Sequence, residues 1–283
     1  MIYLIIATIC FSISFGMIKS QLSTLPSEFV ALCRLTLAML FFLPFVKQIR
    51  EKKHIAAIFI GMIQFGVMYL CFIKAFSYLQ GNEVALLTTT TPIFVALWSI
   101  LFGEKFRFIY IICILMSVIG AGIIVWQNLS FDMIVKGVLL METTNCSFAL
   151  GQVLWKKYIN DTGIKYMSSA YLGASLLVLP FALINVDMTN ITLNTPQILS
   201  LIYLGLVPTG IGFWLWNKGA VSVKYSTLAI MNNLKIPVAV LFSIFLFHEK
   251  INISHFLIGT SIILISIIVL HFALKQSNKT FNI

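Results

Sequence analysis

Apolar residues occur along this chain in runs of about 20, broken by short polar stretches, and a run of that length crosses the hydrocarbon of a bilayer as one α-helix. Ten such runs can be read: 1–18, 28–46, 55–74, 83–102, 108–126, 134–155, 166–184, 197–217, 226–247 and 254–274. Polar residues cluster between them, as in KQIREKKH at 47–54 and NVDMTNITLNTPQ at 185–197, and stand singly inside them. The connections leave no room for a separate soluble domain. The predicted fold is an all-α integral membrane protein of ten transmembrane helices.

The pattern also repeats. TTTTPIFVALWSILFGEK at 88–105 returns as NNLKIPVAVLFSIFLFHEK at 232–250, and Pro92 precedes Glu104 by the same twelve residues that separate Pro237 from Glu249. An offset of 145 pairs Leu70 with Leu215, Ala75 with Ala220, Ser77 with Ser222 and Val95 with Val240. LPF closes the second run at 43–45 and the seventh at 179–181, and Phe11 and Lys19 correspond to Phe148 and Lys156. Five spans per half is an odd number, so the second half enters the membrane from the opposite face. The expected arrangement is two inverted five-helix repeats about an axis in the membrane plane. Residues 1–126 form the first repeat (helices 1–5), 134–274 the second (helices 6–10), and 275–283 a short polar tail.

Composition agrees: 60% of residues are hydrophobic and 10% charged, against about 25% charged in a soluble domain. The net charge of +10 would suit a nucleic-acid binder, but its distribution says otherwise. With a cytoplasmic N-terminus, thirteen of the nineteen Lys and Arg fall in cytoplasmic loops and the tail, four on the other side, and Arg34 and Lys235 within spans. That bias is the positive-inside rule and places both termini in the cytoplasm. The 47–54 cluster reads as a plain cytoplasmic loop, with contact to anionic head groups as the other option. The first run lacks a basic start and a cleavage site, which reads as a retained span. All five cysteines lie within spans without metal-ligand spacing, so neither a disulfide framework nor a metal site is expected.

These features resemble the drug/metabolite transporter superfamily, in its EamA-type ten-helix branch. The resemblance rests on Arg34 in EFVALCRLTLAMLFFLPF, on TPIFVALWSILFGEK, on its echo IPVAVLFSIFLFHEK and on GAGIIV closing the first half. It implies a secondary carrier of small metabolites, often amino acids, frequently working outward. The chain departs from the family pattern at Phe11, where Trp is usual, and at Lys235 and Asn232-Asn233, where the lining is commonly apolar.

Ionisable groups inside spans are costly and so are site candidates. Glu142, with Asn145 and Cys146 on one helical face, reads as a contact for an ammonium or a coupling proton, or as a cap between helices. Lys235, a turn from Asn232 and two residues from Asn233, reads either as a substrate-carboxylate contact or as an internal partner of Glu142. Arg34 reads as an anion contact or a packing group, with the latter slightly favoured. Glu28 and Glu83 read as boundary residues. Pro92 and Pro237 each remove a helix hydrogen bond; they are candidate hinges or simple packing features, with Thr88 to Thr91 able to satisfy freed carbonyls. Trp214, Trp216 and Asn217 read as an interfacial belt, or Trp214 joins its repeat partner Tyr69 at the cavity. Gly120 and Gly122 read as helix-packing positions.

No nucleophile-base pair, phosphate loop or metal spacing appears, so an enzyme and a cofactor are not expected. The first function read is a carrier of an amino acid or amine-like metabolite by alternating access with proton coupling or exchange, with export as one option for its direction. An alternative is a carrier of a vitamin, nucleoside or sulfonium metabolite; a second is a channel-like or assembly protein. Expected partners are a small-molecule substrate, protons and the lipid bilayer, not nucleic acid. A monomer is expected, or a weak homodimer.

Overall fold

The computed structural model describes residues 1–47, 50–79, 81–105, 107–125, 135–161, 163–247 and 252–280. All of its regular elements are helical. In chain order the α-helices are α1 (Ile2–Met17), α2 (Ser27–Phe42), α3 (Lys52–Gly61), α4 (Met68–Ala75), α5 (Gly81–Thr88), α6 (Thr91–Leu101) and α7 (Phe108–Val125). They continue as α8 (Val135–Leu154), α9 (Met167–Asn185), α10 (Thr195–Leu204), α11 (Phe213–Ser222), α12 (Tyr225–Phe247) and α13 (Ile253–Thr280).

Several of these are parts of longer rods. α3 passes into α4 through a π-helical stretch, Met62–Val67, and α10 into α11 through another, Gly205–Gly212; α1 and α8 each end in a π-helical turn, Ile18–Leu22 and Trp155–Ile159. These stretches fall at matching places: 18–22 plus 137 is 155–159, and 62–67 plus 145 is 207–212, inside Gly205–Gly212. A π-turn leaves backbone groups off the α-helical ladder and often marks a functional position.

By length and composition, five helical rods among the described residues can cross a membrane: Ser27–Phe45, Lys52–Ala75, Ile164–Asn185, Thr195–Ser222 and Ile253–Ala273. Shorter apolar helices cover Ile2–Ser14, Leu86–Leu101 and Phe108–Ile124. Polar METTNCS at 141–147 interrupts the apolar character of α8, and part of α12 lies outside the described side chains.

The arrangement of side chains is inside out relative to a soluble protein. Ile5, Ile9, Leu40, Leu176, Leu183 and Ile268 are exposed, whereas Arg34, Gln64, Asn145, Gln152, Asn217 and Asn232 are buried. Lipid accepts the first set and penalises the second, so polar groups turn inward and meet each other. Gln64 Nε2 donates to Asn217 Oδ1 at 2.9 Å, and Gln152 and Asn232 exchange bonds at 3.2 and 3.4 Å.

Helices close on one another where glycine permits. A Cβ on Gly259 would lie 2.3 Å from the Gly120 carbonyl oxygen, and one on Gly120 2.7 Å from that of Gly259, so α7 and α13 cross backbone to backbone. Gly61 and Gly173 do the same between α3 and α9, where a Cβ would reach the carbonyls of Ala170 and Ile58 at 1.9 and 2.1 Å. Gly122, expected to pack, instead faces open space.

Charges sit at helix ends. Lys156 Nζ donates to the carbonyls of Ala220, Val221 and Val223 at the end of α11, and Lys157 Nζ to that of Phe102 after α6. Such carbonyls lack intrahelical donors and carry the negative end of the helix dipole. Lys74 pairs with Glu28 at 3.6 Å and Lys165 with Glu51 at 3.1 Å. The Tyr166 hydroxyl and then the Lys165 ammonium hold the Glu51 carboxyl below its ordinary 4.5. His54 is tied on both ring nitrogens, to Ser169 Oγ and the Lys47 carbonyl.

Candidate functional site

α1, α2, α4, α8, α11 and α12 line a cavity of about 80 Å³, to which α5 and α6 also contribute. Both sequence halves supply walls. Five of its fifteen lining residues are aromatic, Phe11, Tyr69, Phe72, Phe148 and Phe213, and seven others carry polar side chains. Phe213 lies 4.7 Å from Phe11 and 5.6 Å from Phe148 between ring centroids, which fixes these walls against each other.

Arg34 enters from α2. Its Nε donates to Thr209 Oγ1 at 3.1 Å and its Nη2 to the Tyr69 hydroxyl at 2.8 Å, while the guanidinium carbon lies 4.7 Å from the Tyr69 ring centroid. Tyr69 and Thr209 meet at 2.7 Å, and Thr209 Oγ1 donates to the Leu204 carbonyl at 2.6 Å. Pro208, four residues after Leu204, has no N–H to give that carbonyl. The Tyr171 hydroxyl donates to the Thr209 carbonyl and so holds the same turn from α9. One guanidinium nitrogen, Nη1, is buried without a partner.

A second polar group surrounds the break between α5 and α6. Pro92 has no N–H for the Thr88 carbonyl, and Thr91 Oγ1 donates there instead, at 2.8 Å. Asn145 Nδ2 donates to the Leu87 carbonyl at 2.8 Å and to Thr90 Oγ1 at 2.9 Å, and its Oδ1 accepts from Thr91 at 3.1 Å. From α12, Asn233 Nδ2 reaches the Thr89 carbonyl at 3.3 Å. Glu142 accepts from Thr90 Oγ1 at 3.0 and 3.3 Å. The break is thus a turn whose loose carbonyls are met by side chains from three helices.

Lys235 lines the cavity from α12. Its Nζ lies 6.0 Å from the Phe148 ring centroid, and no hydrogen-bond or ion-pair partner reaches it among the described residues.

The sequence candidates are therefore distributed over several places. Arg34, Tyr69, Asn145 and Lys235 line the cavity. Glu142 stands behind it on Thr90, and Glu142 and Lys235 form no ion pair among the described residues. Asn232 is buried against Gln152 and the Leu228 carbonyl rather than beside Lys235, and Asn233 faces Thr89 and Ser117. Trp214 lies outside the cavity, near Phe42 and under Lys218. Pro92 marks the helix break, whereas Pro237 lies within unbroken α12. Glu28 accepts from Ser27 and pairs with Lys74. The side chains of Glu83, Glu249, Lys250, Lys275 and Lys279 lie outside the described residues.

Ser14, Thr91 and Thr209 were not singled out from sequence as site residues. Thr209 could have been, since it is the repeat partner of Gln64 at the offset of 145 and follows a proline. Ser14 carries no such signal.

Apolar side chains facing outward around a cavity with buried polar walls define a multi-pass membrane protein. The chain belongs to the EamA-like transporter family, whose profile matches residues 1–126 and 135–272. It is similar to a probable biotin transporter of Pseudomonas aeruginosa, 33% identical over 94% of this chain and 95% of that one. It is also similar to a biotin transporter of Escherichia coli K12, 33% identical over 94% and 91%. A crystal structure with a TM-score of 0.82 at 15% identity, covering 97% of both chains, shares the fold.

Proposed function

We propose that this transporter is a secondary carrier of a small vitamin, biotin or a close chemical relative, with the central cavity as its binding site. The observation that carries this reading is the cavity itself: a mostly apolar surface drawn from both halves, with polar side chains interleaved among the aromatic ones. Small-molecule sites are built in this way, mostly apolar with a few placed polar groups. The relatives named for biotin favour the vitamin reading, and nothing in them favours amino-acid transport, the first expectation from sequence.

At about 80 Å³ the cavity is smaller than the roughly 300–1,000 Å³ of an ordinary ligand site. We read this conformation as contracted around the site, with the α5–α6 break and the two inverted halves providing alternating access. Both termini are assigned to the cytoplasm by the lysine and arginine bias. Proton coupling and exchange are both compatible with the cycle, and Glu142 behind the break is the candidate for a coupling group.

The test is counterflow of labelled biotin in liposomes holding the purified full chain, beside a panel of amino acids. Saturable biotin exchange supports the reading. Exchange of an amino acid without biotin overturns the substrate, and flux without saturation or exchange overturns the carrier in favour of a channel.

A further inference from the structure

Three polar atoms on cavity-lining residues have no hydrogen-bond partner among the described residues: Ser14 Oγ on α1, Arg34 Nη1 on α2 and Lys235 Nζ on α12. The Arg and Lys nitrogens can only donate, and the serine hydroxyl can donate. The described lining residues include no carboxylate. A cation inside the membrane normally faces a carboxylate, a carbonyl or water, because leaving it uncompensated is expensive. Here the arginine spends two of its three nitrogens on Thr209 and Tyr69, and the lysine spends none. The ligand class that answers all three is an anion with several acceptor lone pairs on adjacent oxygens.

We infer that Ser14, Arg34 and Lys235 form a carboxylate site, and that Lys235 is the residue by which the transporter selects a monocarboxylic acid over its neutral analogues. The inference rests on the cavity being the substrate site. The two cations divide the work. Arg34 is locked into the Tyr69–Thr209 cluster, which also holds the π-helical turn, so its replacement disturbs the wall as well as the ligand. Lys235 touches no polar protein group through Nζ, so its replacement alters the charge met by the ligand and little else.

The probes are acid and amide pairs: biotin and biotinamide, lipoate and lipoamide, nicotinate and nicotinamide. Each is scored by thermal stabilisation of the detergent-purified full chain, and the biotin pair also by competition with labelled biotin in counterflow. The acid of at least one pair is expected to bind about tenfold or more tightly than its amide, the scale of a hydrogen bond to a charged group. In Lys235→Gln that advantage disappears, and in Lys235→Arg it persists. The ratio within one variant does not depend on how much of that variant is folded.

Equal binding of acid and amide in the parent chain overturns the inference, as does an acid preference that survives Lys235→Gln, or no acid binding in any pair. If biotin is not exchanged but another acid shows a Lys235-dependent preference, the biotin reading fails and the carboxylate site stands. If biotin and biotinamide exchange alike, and no other pair favours its acid, the biotin reading stands and the carboxylate site fails.

Discussion

Pro92 and Pro237 occupy the same place in the two halves, yet only the first breaks its helix. Ahead of Pro92 the chain turns at Thr89–Thr90 and starts α6 anew, whereas α12 runs through Pro237 from Tyr225 to Phe247. The difference lies in the neighbours. At the first site, Thr91 Oγ1, Asn145 Nδ2 and Asn233 Nδ2 meet the carbonyls of Thr88, Leu87 and Thr89. The position on α1 that matches Asn145 is Thr8 (145 minus 137), and its hydroxyl goes to the Leu4 carbonyl of its own helix. The position on α12 that matches Thr90 is Lys235 (90 plus 145), which faces the cavity. A proline removes one donor, but a helix opens in lipid only where side chains arrive for the carbonyls that opening exposes.

The strongest way to break this contrast is Asn145→Leu. It removes the donor to Leu87 and Thr90 and the acceptor of Thr91 together, leaving the Leu87 carbonyl only Thr90 and the Thr91 hydroxyl only the Thr88 carbonyl, at about 0.5–1.5 kcal/mol for each of the three lost bonds. The expected result is a large loss of stability in denaturant or thermal unfolding of the detergent-purified protein, with transport lost. Asn233→Ala removes only the bond to Thr89 and the weaker one to Ser117, and about 1 kcal/mol is expected by the same measurement.

Restoring the missing donor tests the contrast from the other side. Pro92→Ala supplies an N–H for the Thr88 carbonyl, so the turn is expected to heal toward continuous helix. Amide exchange at 88–93 should slow, and transport should fall without loss of stability. Pro237→Ala, in a helix already continuous, is expected to leave exchange near 237 nearly unchanged and stability within about 1 kcal/mol of the parent. If both variants behave alike, the prolines rather than their neighbours decide.

The smallest expected effects concern the charges outside the cavity. Glu142→Gln keeps an acceptor for Thr90, so stability should shift by under about 1 kcal/mol, and a transport defect larger than that would mark a coupling role. Glu51 is paired in the folded state, and its carboxyl lies below its ordinary 4.5. Its contribution is therefore present above the unfolded value and is lost as pH falls through the lower folded value. Glu51→Gln should remove that part of the acid dependence, read as unfolding midpoint against pH.

Much of the site was legible as a list of costly residues. Arg34, Tyr69, Asn145 and Lys235 all reach the cavity, because a polar group in an apolar run has nowhere else to go. The groupings were not legible. Asn232 and Lys235 are three residues apart on one helix, yet one meets Gln152 and the other the cavity. Glu142 and Lys235 looked like natural partners by charge, but Thr90 and the aromatic wall separate their roles. Ser14 was passed over because its meaning depends on what surrounds it: most hydroxyls in these helices return to their own backbone, and this one does not.

The sequence by itself determined that the chain lives in a membrane, that its pattern occurs twice, and that Arg34, Glu142, Asn145 and Lys235 stand inside apolar runs. Those follow from transfer free energies, which act on each residue or run separately. Only the tertiary structure decided which proline opens a helix, which asparagine serves it, and which cation remains unpaired. Apart from the local Thr91–Thr88 bond, those outcomes depend on donors and acceptors brought together from distant segments, as Asn145 and Asn233 are brought to Leu87 and Thr89.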